Sequence, residues 1–182
     1  MFKHIINNDI QLKLLELNDA EELTILTDEC KDHLRQWLPW VDSSSSIDDR
    51  RAFIEMTKKQ YAANDGFQAG IWYKGQIAGV IGFHSINWSN KSTSIGYWLG
   101  DKFQGNGIMT KATIAFIDYA LKELKLNRVE IRCAEENLKS RAIPERLGFT
   151  KEGVIRQAEW LYHHYVNHVV YGMLAEEWKQ SL

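Results

Sequence analysis

The feature that most restricts this chain is a strand that runs into a glycine turn and then a helix. It reads Ile95-Gly96-Tyr97-Trp98-Leu99-Gly100-Asp101-Lys102-Phe103-Gln104-Gly105-Asn106-Gly107-Ile108-Met109-Thr110. Glycines at 105 and 107 let the backbone turn tightly and let a ligand approach the main chain without meeting a Cβ. The amides that open the following helix lack internal partners, and the helix dipole adds partial positive charge there. Together they suit a phosphate, although the same residues would also serve an ordinary strand–helix turn. Other phosphate motifs fit worse. No Gly-Lys-Ser or Gly-Lys-Thr follows, and Thr110 or Lys111 stands near the place of a third glycine. A dinucleotide fold would also put its fingerprint after the first strand of a parallel sheet, whereas hairpins precede it here.

The rest of the chain sets the frame for that turn. Ile10-Leu12-Leu14 alternates like a strand. Asn18 with Glu21 three residues on predicts the start of a helix running to about Asp32. Ser43-Ser44-Ser45-Ser46 reads as a loop that caps a second helix, which ends at Asn64-Asp65-Gly66 and carries Ile47, Ile54 and Tyr61 on one side. Phe67 to Tyr73 alternates, Lys74-Gly75 is a two-residue turn, and Ile77, Ile81 and Phe83 return. A strand from Thr93 to about Leu99 leads into the glycine turn, and a helix is expected from Thr110 to about Leu124. The strand Arg128–Cys133 follows, then a short helix ending at Leu147 with Gly148 as its left-handed cap. Two β-rich segments, about Lys151–Trp160 and Tyr165–Leu174, finish the chain. Antiparallel strands first and a strand–helix–strand unit after them predict an α/β (α+β) fold, a mixed sheet with helices on its faces.

Composition removes whole classes of function. The 182 residues suit one domain, 1–182, since domains run roughly 100–200 residues. Lys+Arg 22 against Asp+Glu 24 gives a net charge of −2, which supplies no long-range attraction to nucleic acid. No apolar run approaches the ~18 residues of a spanning helix, and the first residues lack the apolar stretch of a signal peptide. Cys30 and Cys133 lie far apart in apolar surroundings and read as reduced, buried thiols. A cytoplasmic protein is expected.

The glycine stretch resembles the Gln/Arg-x-x-Gly-x-Gly/Ala signature of the GNAT acetyltransferases, and within them the RimJ/RimL group, which acetylates N-termini of ribosomal proteins. Three further segments agree in order and spacing. Leu34-Arg35-Gln36-Trp37-Leu38-Pro39-Trp40 resembles the group's tryptophan-proline segment. Asn137-Leu138-Lys139-Ser140 followed by Leu147-Gly148-Phe149 matches Asn-x-x-Ser…Leu-Gly-Phe, and Glu159-Trp160 falls where the group carries an acidic residue. Met109 departs from the broad signature, which has Gly or Ala there, but the RimJ/RimL group tolerates it.

The resemblance implies a GNAT-type fold of about seven strands, mostly antiparallel, with a V-shaped splay between strands four and five (here Thr93–Leu99 and Arg128–Cys133). It implies acetyl-CoA as donor, its pyrophosphate on Gln104, Gly105, Asn106, Gly107, Ile108, Met109 and Thr110. The pantetheine would bond main-chain groups near Trp98 and Leu99 and the side chain of Asn137, which can equally be a turn residue. The acceptor amine would enter from the opposite side, and a backbone amide on strand four would steady the oxyanion.

Glu159 is then the candidate base, acting directly or through a water, and Glu130 on the fifth strand competes for the role. Alternation with Val129 and Ile131 makes Glu130 more simply a surface or salt-bridge residue. Glu135 and Glu136 are expected to line a strand-end loop. Ser140 is the candidate partner of the thiol. Many GNAT enzymes place a tyrosine four residues beyond it as the acid, and here that place holds Pro144. Proline lacks an amide, which predicts that the short helix starts after Ser140. Trp37 and Trp40 would wall the acceptor channel unless they serve as core. His163, His164 and His168 lie on strand-like residues, so no metal is expected.

The expected partners are therefore acetyl-CoA and an acceptor amine, first a protein N-terminus, with a homodimer left open and neither nucleic acid nor membrane. A small amine such as a polyamine or an amino-sugar antibiotic is the first alternative acceptor. A non-catalytic CoA-binding module is the second alternative, which the presence of both Ser140 and Glu159 speaks against.

Overall fold

A computed structural model describes residues 2–179. The strands form one sheet in the order β1-β2-β3-β4-β5-β6-β8-β7. They span Lys3–Ile5 (β1), Ile10–Leu14 (β2), Gln68–Tyr73 (β3), Gln76–Asn87 (β4), Ser92–Leu99 (β5), Arg128–Ala134 (β6), Thr150–Leu161 (β7) and His164–Leu174 (β8). The helices are Ala20–Glu29 (α1), Lys31–Arg35 (α2), Ile47–Ala62 (α3), Ile108–Asp118 (α4) and Leu138–Arg146 (α5). Every described strand pair is antiparallel except β5 with β6.

Local chemistry explains the elements. Ser46 caps α3 by accepting from Asp49 N, and Asp49 answers on the Ser46 amide. Lys74 and Gly75 both take positive φ, 50° and 83°, as a two-residue hairpin turn requires. The strand β4 is buried at seven consecutive residues, Ile77–Phe83, so it is covered on both faces. Helix α1 packs on it and on α3, and α4 packs on β4 and β5. In the core Phe116 of α4 meets Phe83 at 4.9 Å and Phe67 at 5.3 Å, both pairs tilted.

Several expectations need correction. Among the described residues the sheet has eight strands, because exposed residues Lys3–Ile5 pair with Gln11–Lys13 at the edge. The first helical segment opens as a 3₁₀ turn, capped by Glu16 with Asp19 and not by Asn18 with Glu21. It breaks at Cys30 into α1 and α2. Helix α4 starts two residues before Thr110, directly after Gly107, and its last turn widens to a π turn over Tyr119–Glu123. Helix α5 starts at Leu138, before Ser140, with Asn137 as its cap and Pro144 inside it.

The register of β5 and β6 is the detail that positions the site. They pair in parallel from Ser92↔Arg128 to Ile95↔Ile131 and no further, although β5 continues to Leu99 and β6 to Ala134. From Gly96 onward the two strands splay. Gly100 N donates to Ala78 O at 2.8 Å on the β4 side. Strand alternation then turns the main-chain groups of Tyr97 and Leu99 into the gap.

Candidate active site

A cavity of about 780 Å³ occupies this splay. Of the residues expected at the site, it is lined by Trp37, Trp98, Leu99, Gln104, Gly105, Gly107, Ile108, Met109, Thr110, Asn137 and Ser140. Asn106, Trp40 and Glu159 do not line it. Asn106 braces the turn instead, its side-chain amide donating to Phe103 O and Gln104 O at 3.1 and 3.2 Å. Trp40 stands behind Trp98, ring centroids 6.0 Å apart.

The glycine turn fits a phosphate on its own geometry. Gly105 and Gly107 take φ of 79° and 67°, left-handed values that other residues rarely adopt. A Cβ built on either would meet no atom within 4 Å, so the space in front of them is open. Gly107 caps α4, and the first turn's amides face outward from there. Two cations stand at this end of the cavity, Lys139 and Arg146 of α5, beside His33 of α2. Lys139 Nζ and His33 Nε2 reach the two ends of the Gln104 amide, both at 2.9 Å, and Arg146 donates to Thr110 Oγ1 at 2.9 Å. Sequence reasoning missed these three. A signal existed for two of them, since 139 and 146 are seven apart and share a helix face.

On the same cavity wall, Asn137 Oδ1 accepts from Ser140 N at 3.2 Å, so it is a helix cap that keeps its amide group free. Ser140 Oγ lies 3.3 Å from Cys133 Sγ of β6, and the Tyr97 hydroxyl donates to Ser140 O at 3.0 Å. Burial pushes the Tyr97 phenol well above its ordinary value, helped by Cys133, so it stays a donor. Burial likewise raises the Cys133 thiol. Both cysteines are free and buried.

Glu159 stands on β7 with its side chain 31% exposed and Oε2 at 3.3 Å from His168 Nε2 of β8. Glu130, the competing candidate, is bracketed by Arg128 at 2.9 Å and by Arg132. Burial pushes its carboxyl up, but the two guanidiniums outweigh that and hold it below the usual range. Such a carboxylate is a poor proton acceptor. His84 of β4, also missed, lies against Gly96 where the splay begins, with Nδ1 3.0 Å from Ser94 Oγ. Burial and then Arg132 lower its pKa, which keeps it neutral near pH 7. Among the described residues no group of three or more His, Cys, Asp or Glu side chains could hold a metal, and no helix is long and apolar enough to cross a membrane.

The loop that carries Trp37 and Trp40 is tied down from three sides. Arg35 pairs with Asp42 at 2.9 Å, and the buried Arg50 guanidinium lies 4.9 Å from the Trp40 ring. From the β7–β8 turn, Tyr162 donates to Leu38 O at 2.6 Å while its ring lies 3.9 Å from the Arg35 guanidinium. The strand of Glu159 and the tryptophan loop are therefore joined.

Residues 9–150 match the model of the acetyltransferase (GNAT) domain. The chain is 39% identical over 180 residues, 98% of each chain, to YdaF of Bacillus subtilis (strain 168), whose name assigns it provisionally to ribosomal N-acetylation. It is 30% identical to the ribosomal-protein-serine acetyltransferase of Escherichia coli (strain K12), covering 86% of this chain and 87% of that one. Among solved structures it resembles the microcin C7 self-immunity acetyltransferase MccE in complex with acetyl-CoA and AMP. That match has a TM-score of 0.89 at 35% identity, over 93% and 94% of the two chains. It also resembles RimL, a ribosomal L7/L12 α-N-protein acetyltransferase in complex with coenzyme A. There the TM-score is 0.89 at 28% identity, over 93% and 96%.

Proposed function

The chain belongs to the GNAT acetyltransferase family and uses acetyl-CoA as donor, and from that premise we propose that its acceptor is the N-terminal α-amine of a protein, a ribosomal protein first. The observation that carries this reading is the cavity through the β5–β6 splay, whose walls carry Lys139 and Arg146, a glycine cradle, and Trp37 and Trp98. The ribosomal names of relatives at 39% and 30% identity support the acceptor class.

In this reading Lys139, Arg146 and the first amides of α4 hold the donor's phosphates, with His33 fixing Gln104 beside them. Asn137 uses its free amide group on the pantetheine. The main-chain amides of Tyr97 and Leu99 face the gap, where one of them steadies the oxyanion that forms as the amine attacks. Glu159, backed by His168, takes the proton from the amine, directly or through a water. Ser140 meets the sulfur as it leaves. A free thiol of this kind has a pKa near ~8.5, so its thiolate departs with little assistance.

A small-molecule acceptor is the second reading, favoured by one observation. The Trp40–Trp98 pair offers aromatic faces beside the cavity, and the MccE structure contains AMP. A panel of N-terminal peptides and small amines, assayed by release of free coenzyme A, tests the two readings. Turnover of peptides alone supports the first, and turnover of a nucleotide-linked or sugar amine alone replaces it with the second.

A further inference from the structure

Pro144 is the seventh residue of α5, a position where a helix normally donates an amide to the carbonyl four residues earlier. That carbonyl belongs to Ser140. Proline has no amide hydrogen, and its ring crowds the same carbonyl and tilts it away from the helix axis. The carbonyl nonetheless has a donor, the hydroxyl of Tyr97 at 3.0 Å. Tyr97 comes from β5, two residues beyond the last β5–β6 pair, and lines the cavity together with Ser140. One bond thus ties the splayed strand to the first turn of the helix that carries the serine.

We propose that Tyr97 is a positioning residue for Ser140, acting through the main-chain carbonyl that Pro144 leaves open. The proposal rests on the reading of Ser140 as the residue that meets the departing sulfur. Two contacts from different elements fix the serine's main chain. Asn137 holds the Ser140 amide from the start of the helix, and Tyr97 holds the carbonyl from the strand. Its Oγ is then left to face Cys133 and the gap. An ordinary residue at 144 would satisfy the carbonyl within the helix, and the serine's main chain would then no longer depend on Tyr97. The proline therefore turns a routine helix bond into a link across the site.

The link has a suppression test. Tyr97→Phe keeps the ring and removes the donor that reaches the Ser140 carbonyl from β5. Its kcat should fall about tenfold, while the acetyl-CoA Kd by calorimetry and the acceptor KM stay within about twofold. Pro144→Ala restores a helix amide to that carbonyl. Added to Tyr97→Phe, it should return kcat to within about threefold of wild type. Alone it should leave kcat within about twofold, because the carbonyl is satisfied either way.

An unchanged kcat in a folded Tyr97→Phe variant would overturn the proposal. So would a loss that Pro144→Ala does not repair, since the phenol would then act on the reacting groups directly. If Tyr97→Phe does not fold, the single Pro144→Ala variant decides, and a loss beyond tenfold contradicts the account. Ser140→Ala separates this inference from the one beneath it. Normal turnover there removes the serine's role, whereas a slow Ser140→Ala beside a normal Tyr97→Phe removes only the role of Tyr97.

Discussion

Glu159 Oε2 lies 3.3 Å from His168 Nε2, and the two side chains meet across neighbouring strands where β7 bulges between Ile155 and Glu159. His168 pairs with Ile155 and Glu159 with Val166, two residues from His168 on the same face, so the irregular stretch between them makes Glu159 and His168 diagonal neighbours. If this carboxylate accepts the amine's proton, Glu159→Gln lowers kcat by about 10²–10⁴-fold. Acetyl-CoA affinity, read by calorimetry, stays within about twofold, since the carboxylate does not line the cavity. Near-normal turnover across pH 6–9 would remove Glu159 from the reaction.

Gly107→Val is expected to abolish acetyl-CoA binding. The backbone there is left-handed at φ 67°, and the new side chain would project into the open space before the helix. A β-branched residue at positive φ also costs roughly 1–3 kcal/mol of stability. The binding measurement is therefore paired with a thermal melt. A folded variant with unchanged affinity would show that the phosphates bind elsewhere.

Stability should depend on pH through the cluster on β6 and β7. Arg128 pairs with both Glu130 and Glu152, and Arg132 pairs with Glu130. The Arg128 bonds hold Glu152 below the usual carboxylate range, and the two arginines do the same for Glu130 against the cost of burial. A carboxyl lowered on folding stabilises the protein above its unfolded pKa, and that contribution is lost as pH falls through the folded value. The melting temperature should thus drop on acidification through and below about pH 4.3. It should drop less in Glu130→Gln/Glu152→Gln, which at pH 7 is less stable than wild type. Parallel profiles would show that the cluster adds nothing.

Much of this architecture was legible because it is local. The glycine turn, the Ser46 cap, the Lys74-Gly75 turn and the Gly148 cap each follow from a few neighbouring residues. The register break after Ile95 was anticipated only through the family resemblance, since nothing in the residues of β5 alone marks it. Tyr97 was missed because its partner is a carbonyl 43 residues away, exposed by a proline whose place in α5 was misjudged. The proline reading failed for a physical reason. A first-turn position is the cheapest for proline, but Asn137 caps the helix firmly enough to start it earlier and leave Pro144 inside. His33 and Tyr162 reach the site from distant segments, 71 and 124 residues from their partners, and no spacing rule encodes such contacts.

The acceptor class is the central claim, and proton chemistry sharpens it. An α-amine with pKa ~7.7–8.0 needs about 1 kcal/mol to free its lone pair at pH 7, while a lysine at ~10.4 needs about 4.6 kcal/mol. One partly exposed carboxylate beside a histidine meets the smaller demand. The most direct test compares two peptides of otherwise identical sequence, one with a free N-terminus and no lysine, one N-terminally blocked with an internal lysine. Measured as kcat/KM with acetyl-CoA at pH 7, the free N-terminus should be acetylated at least about a hundredfold faster, which falls within the ~3.6 kcal/mol difference between the two amines. Faster acetylation of the blocked lysine peptide would contradict the account.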